Sequence, residues 1–461
     1  MKKIRTRVAV LEMFVRLLGP RRGTVRGRWR VVGTVILGLI LVTAAWGNSS
    51  PDSPGESLSS YGMFDFPTCV RYALVHSPVF LENRLEIQLR SVDLKDAHSE
   101  ILPSFNLLTR FYLSRAGSSG GGKRFSVQFL IQDWNPYAAL VKIKAYGILT
   151  DIAKISHEES ITENIGNLAK LFFKIDLLDR GMRARRQLIA LHRDKVNYGK
   201  SKNAQGTIDP LEIRLWEHAL KGEILKLKDM ERERNDALLK IKLLMGYHPD
   251  FHLPLDTRGA VAQILGGFNG DVVTFGEIQG SNLKMKMLAK KEQAQSVAVT
   301  GAYLLILPKP LLLVEDVQNQ VDRTSGLNVA FGSSYTIWDG FRGVREIRRQ
   351  QLKAEKARLD RDKYSLKIYG EFRAIRGLLD ASRDKAVYQS EQMRLAELNE
   401  ERAFLRYKSG DLPYEQYIDR RIEKVQAHMA TLTSQQERVV ALIDLATLAG
   451  GLNKYNARIR Y

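Results

Sequence analysis

The chain has 461 residues, with 71 Lys/Arg against 51 Asp/Glu and a single cysteine, Cys69. One cysteine excludes an internal disulfide framework, and basic residues dispersed among acids argue against a nucleic-acid footprint, which needs a concentrated patch. No Gly-rich phosphate loop ending in Lys-Ser/Thr and no nucleophile elbow occurs, so nothing points to an ATPase or hydrolase.

The first thirty residues hold ten Lys/Arg and one acid, Glu12, and an uncharged run follows from Val31 to Gly47. A basic leader, a short apolar core and the small residues Ala45 and Gly47 read as a secretory signal over 1–47. The apolar run is near the lower length limit for a transmembrane helix, so an uncleaved anchor is the alternative. Met13 is a second candidate start. Beyond 47 the chain keeps 61 basic against 50 acidic residues, or +11. Residues 48–64 form an N-terminal extension, and Cys69 is expected to be a small buried residue on a helix.

From residue 65 onward the chain repeats itself at an offset of about 204. Gly206 matches Gly410, Ala237-Leu238-Leu239-Lys240-Ile241 matches Ala441-Leu442-Ile443-Asp444-Leu445, and Gly246 matches Gly450. Ser77-Pro78-Val79 pairs with Ser281-Asn282-Leu283, and Leu102-Pro103-Ser104 with Leu307-Pro308-Lys309. A period this long marks a duplicated domain-sized unit rather than a solenoid.

The first repeat, 65–250, predicts an opening helix over about Pro67–Leu102. Strands follow near 104–114 and 124–132, joined by the glycine-rich Ala116–Gly122. In the second of them Phe125, Val127, Phe129 and Ile131 alternate with Arg124, Ser126, Gln128 and Gln132, broken only by Leu130, as in a half-buried strand. A stretch without proline then runs over Tyr137–Gln205. Its apolar positions Ile161, Ile165, Leu168, Phe172, Ile175 and Met182 have coiled-coil spacing. A turn near 206 leads to a last helix, Ile208–Gly246. A crossover segment, 251–271, precedes the second repeat, 272–450. This has a helix over Thr274–Leu305, strands near 310–317 and 327–337, a long helix over Phe341–Ser409 with Ile368, Phe372, Ile375 and Leu379 on its seam, a turn near 410, and a helix over Leu412–Gly450. A short tail, 451–461, ends the chain. Trp134 and Trp338 stand where strand gives way to helix, as interfacial aromatics of a membrane boundary would.

Each long helix would span about 100 Å, and the two shorter helices of its half, laid end to end, have about the same length. Strands of nine to eleven residues suit a tilted crossing of a bilayer. Four strands leave two unpaired edges, which hydrocarbon penalises by several kcal/mol per group. Copies of the chain must therefore close them, and three copies give twelve strands and an open lumen. His248, Asp250 and His252 share a loop but make a poor metal set. No metal and no cofactor are expected.

These residues resemble the TolC-like outer membrane efflux proteins over about 65–450. The resemblance is carried by Ser77-Pro78, Leu102-Pro103-Ser104, Tyr335-Thr336-Ile337-Trp338-Asp339-Gly340, and the turns Gly206-Thr207-Ile208-Asp209-Pro210-Leu211-Glu212-Ile213 and Tyr407-Lys408-Ser409-Gly410-Asp411-Leu412. It implies a mainly α protein with transmembrane β structure: a homotrimer with a twelve-strand barrel in outer membrane lipid, continued by a coiled-coil α-helical tunnel in the periplasm. It further implies no enzyme activity, and as partners a periplasmic adaptor and an inner-membrane RND, ABC or MFS transporter. Gly206, Thr207, Ile208, Gly410, Asp411 and Leu412 would meet the adaptor. Gln416 and Asp419 hold the positions of a constricting acidic ring, of which only Asp419 keeps the charge, while Tyr407 and Glu212 match a pair that ties the closed entrance. Asp209 also reads as an N-cap, with Pro210 at N1 and Glu212 completing a capping box. The competing reading is a membrane-anchored coiled-coil adaptor, which explains the rods but not the strands or the duplication.

Overall fold

The computed structural model describes residues 63–102, 106–113, 123–131, 134–266, 268, 270, 272–304, 306–319, 324–335 and 338–452. The expected signal over 1–47, the extension up to 62, the Ala116–Gly122 connector and the tail from 453 lie outside the described residues, as does the side-chain alternation expected of the strands.

The elements follow the duplicated order. The first half contains α1 (Phe66–His76), α2 (Pro78–Ser99), β1 (Asn106–Leu113), β2 (Lys123–Ile131), α3 (Pro136–Asn203) and α4 (Pro210–Met245). The short α5 (Ala260–Leu265) lies in the crossover. The second half contains α6 (Phe275–Ser281), α7 (Leu283–Leu304), β3 (Lys309–Asn319), β4 (Thr324–Ser334), α8 (Arg342–Lys408) and α9 (Tyr414–Leu448).

Each opening helix, expected as one rod, is two. The break falls at Ser77 in one half and Asn282 in the other, with nearly equal backbone angles, φ −64° and ψ 124° against φ −64° and ψ 119°. Pro78 forces the first break, because the residue before proline is driven out of helical space. At the second, Asn282 caps the following helix, its side-chain oxygen accepting from Met285 N at 3.0 Å. Two different residues therefore make the same joint.

The joints are also where the shorter rods meet end to end. Gly246 closes α4 at φ +71°, and a Cβ there would press into the His76 carbonyl oxygen. In the second half Ser281 Oγ donates to Ala449 O at 2.8 Å and Asn282 Nδ2 to Leu448 O at 3.3 Å. The two helices of each half thus form one interrupted rod alongside the long helix.

The main core lies at this level. Phe66, Cys69 and Val70 of α1 pack with Phe172 of α3, Ile241 and Met245 of α4, Ile264 of α5 and Ile443 of α9. The α3 seam expected from spacing is buried from Ile161 through Met182, and on α8 Ile368 and Leu379 are buried while Phe372 and Ile375 are partly so. Burial pushes the Cys69 thiol up to about 12, so it is a small core residue rather than a nucleophile. Phe64 pairs with Leu255 in a short parallel bridge, which ties the crossover to the start of the first half.

The four strands form one antiparallel sheet in the order β1-β2-β3-β4. β2 and β3 join the halves, with Phe129 opposite Val314, and β1 and β4 are open edges. One chain therefore contributes an open sheet and not a closed barrel. The helices repeat this arrangement: α3 packs against α2, α4, α7 and α9, whereas α8 packs against α7 and α9. The helical row thus ends at α8 on one side and at the α2/α4 rod on the other.

Candidate functional site

The turns between α3 and α4 and between α8 and α9 are built alike. Gly206 N donates to Asn203 O and Thr207 N to Lys202 O, at 2.8 and 3.1 Å. Gly410 N donates to Tyr407 O and Asp411 N to Arg406 O, at 3.1 and 2.9 Å. Both glycines have positive φ, +72° and +85°, as this helix-ending geometry requires. Gly206, Thr207, Gly410 and Asp411 are exposed, and Ile208 and Leu412 half-buried.

The re-entry into the second helix differs. Asp209 caps α4, accepting from Leu211 N at 2.8 Å, with Pro210 in the first turn. The expected capping box does not form: Asp209 accepts from Leu211 N rather than from Glu212 N, and Glu212 stands exposed, while a complete box sits at Thr274 and Glu277. In the second turn Pro413 occupies the cap position without a side-chain bond.

Behind the turns, α3, α8 and α9 share an aromatic cluster. Tyr407 stacks on Tyr417, centroids 5.3 Å apart and planes 3° from parallel, and lies 5.5 Å from Tyr414. Tyr414 in turn meets Tyr198 of α3 at 5.0 Å, and Phe404 meets Tyr417 at 5.8 Å. Among the described residues Tyr407 and Glu212 make no bond to each other.

Asp419 is engaged inside the chain. Lys195 Nζ donates to its Oδ1 at 2.5 Å and lies 4.7 Å from the Trp216 ring centre. Lys195 is buried and Asp419 half-exposed, so the carboxylate is already paired with a cation of its own chain. Gln416 is exposed and uncharged. Beside this pair Leu188, Leu191, Ile418 and Ile422 form a small buried core between α3 and α9. Sequence reasoning missed both features; a lysine on the first long helix and an acid just past the second turn were the available signal. Farther along α3, Arg185 and Lys226 enclose the buried Glu223, and burial holds the nearby His192 below the usual imidazole range.

At the opposite end, Trp134 and Trp338 flank the sheet. Trp134 is half-buried, its indole N–H donating to Ile101 O at 3.0 Å. Trp338 is 72 % exposed and lies edge-on to Phe341, which is itself exposed. Leu102, Leu140, Ile306, Tyr335 and Val344 are exposed at the same level, an unusual density of bare apolar groups. No helix among the described residues is long and apolar enough to cross a membrane. His248 Nδ1 lies 3.8 Å from Asp250, and no metal-holding group of side chains occurs among the described residues.

No family model matches the sequence, and no curated protein matches it. Solved structures do. A membrane protein from Pseudomonas aeruginosa superposes with a TM-score of 0.72 at 13 % identity, covering 84 % of this chain and 92 % of that one. The outer membrane protein VceC from Vibrio cholerae gives 0.69 at 11 % identity, covering 84 % and 96 %. The open state of the Neisseria gonorrhoeae MtrE outer membrane channel gives 0.67 at 14 % identity, covering 84 % and 88 %.

Proposed function

From a chain that has the fold of the TolC-like outer membrane efflux proteins, we propose an outer membrane channel-tunnel. Three copies close a twelve-strand barrel in the membrane and continue it as a helical tunnel through the periplasm. Cargo enters at the Gly206 and Gly410 tips from an inner-membrane transporter of the RND, ABC or MFS type, through a periplasmic adaptor docked on Gly206, Thr207, Ile208, Gly410, Asp411 and Leu412. Glu212, Tyr407, Gln416 and Asp419 surround the entrance. Trp134 and Trp338 mark the membrane boundary.

One observation carries this reading: sheet and helical row are open at corresponding edges. β1 follows α2 and β4 precedes α8, so each edge of the sheet continues into an edge of the helical row. Exposed apolar residues line both helical edges, Leu352, Leu359 and Leu366 on α8 and Leu85, Leu89 and Val92 on α2. On α8 they recur every seven residues, the spacing of a helix that expects a parallel neighbour. A single association buries both. The adaptor alternative leaves the sheet edges without a partner.

Membrane fractionation and planar-bilayer recording test the reading. The full chain should sediment with the outer membrane, run as a heat-modifiable oligomer and give discrete conducting steps. Confinement to the inner membrane with no conductance would sink it.

A further inference from the structure

Charge is spread unevenly around the first half of α8. From Gly343 to Ile368 its covered side steps through eight positions at intervals of three or four residues, the last of them Arg361, Tyr364 and Ile368. Arg361 reaches Glu292 of α7 at 2.6 Å, so this seam faces α7. Leu352, Leu359 and Leu366 stand bare on the far side, at the edge of the helical row. Two faces of the helix are left, one on each flank of the seam.

The flanks face different surroundings. A residue that follows a seam position turns toward the crossover. Tyr369 meets Phe275 at 5.1 Å, and Arg376, one past the seam residue Ile375, donates to Gly270 O at 3.0 Å. A residue that precedes one turns the other way, where Lys367 and Ala374 join Glu159 and Glu163 of α3 around a groove that Asn282 and Leu448 also line. In a tube one helix thick, three crossovers standing inside would fill the bore. The crossover flank is therefore the outer face, and the groove flank is the wall of the lumen.

That wall is basic. Of the eight residues that precede a seam position, six are cations, Arg342, Arg349, Lys353, Lys356, Lys363 and Lys367, against Glu346 and Asp360. The outer flank balances, with Arg348 and Arg358 against Glu355 and Asp362. Arg349 holds Glu346 and Lys367 lies 3.5 Å from Glu371, but Arg342, Lys353, Lys356 and Lys363 are exposed and make no ion pair among the described residues. The opening stretch of α3, Pro136–Ile161, has no such excess: Lys142, Lys144 and Lys154 stand against Asp151, Glu158 and Glu159. Acids around the groove are answered in part, Glu159 by Lys284 at 3.3 Å and Asp444 by Lys170. At the turns Asp419 is paired with Lys195 and Gln416 is uncharged.

Resting on the channel-tunnel reading, we propose that the α8 stripe lines the tunnel next to the membrane and selects anionic cargo, solutes bearing several carboxylate or phosphate groups. The six cations extend over about 38 Å of helix. Successive ones lie within about a Debye length of each other, so their fields merge along the bore. Fixed charge of one sign on a confined wall concentrates the opposite ion and repels its own.

Reversal potentials of the full chain in planar bilayers under a KCl gradient test this. The wild-type potential should take the sign set by chloride, and the preference should grow as salt is lowered. Lys353→Glu, Lys356→Glu, Lys363→Glu and Lys367→Glu together should reverse that sign, whereas Arg348→Glu with Arg358→Glu, on the outer flank, should leave it unchanged. Inorganic tripolyphosphate should reduce the wild-type current and lose this effect in the four-lysine variant. Wild-type channels that conduct but prefer potassium, or that tripolyphosphate does not touch, defeat this inference alone. A selectivity that follows the outer pair rather than the four lysines overturns the assignment of the faces. The wild-type readings need no variant, so they decide even where the four-lysine protein fails to assemble. A chain that never conducts defeats the channel-tunnel reading, and this inference with it.

Discussion

His157 on α3 is 2 % exposed and meets the edge of Phe80 at 6.5 Å. Burial and the nearby Arg84 guanidinium hold its imidazole below the usual range. The folded chain therefore binds that proton less readily than the unfolded chain. Stability from this site is complete above the ordinary imidazole range, near pH 6.5, and is lost as pH falls below it. His192 shifts in the same direction from burial. The melting temperature should drop between about pH 7 and about pH 5. His157→Gln, which cannot titrate, should flatten that drop in a thermal scan; an unchanged slope would place the sensitivity elsewhere. Asp176 behaves differently. Burial raises its carboxyl against the opposing pull of Arg180, which lies at 2.7 Å.

The joint between α4 and the α1/α2 break is an element-scale device, and its glycine differs in kind from those at the turns. Gly206 has positive φ but open space around its missing side chain, so Gly206→Ala should cost only the left-handed backbone penalty, about 1 kcal/mol. Gly246→Ala adds a Cβ pressed against the His76 carbonyl oxygen to the same backbone strain. Its loss should exceed that of Gly206→Ala and reach about 2 kcal/mol or more. Denaturant titration of both variants decides the matter; equal losses would mean that α1 and α4 yield freely at the joint. The interruption of the first opening helix was signalled by Pro78, whereas that of the second was not legible beforehand, since no proline or glycine stands at 282. The Asn282 carboxamide oxygen caps α7 by accepting from Met285 N, while its nitrogen donates to Leu448 O across the joint.

At the scale of the molecule the unpaired edges dominate. α8 buries only Ile368, Leu379, Ser382 and Ala403, whereas α3 is buried along most of its length. An edge helix of this length is stable only with cover on its other face. Leu359→Glu with Leu366→Glu should therefore convert detergent-solubilised trimers to monomers, read by light scattering, with the helical content of each monomer retained. Trimers of wild-type stability would show that α8 is not the edge used for association.

The long rods, their seam residues, the two glycine turns and the strand positions were legible in the chain because they depend on local spacing and on backbone demands that single residue types meet. The repeat made them legible twice. The company kept by the tip residues was not. Tyr407 lies against Tyr414 and Tyr417 because α8 and α9 fold back on each other across the second turn, and Asp419 lies against Lys195 because α3 and α9 converge from positions 224 residues apart. Which carboxylate is neutralised and which ring is stacked depend on the relative rotation of packed helices, set by the sum of many contacts along their length and written in no one segment.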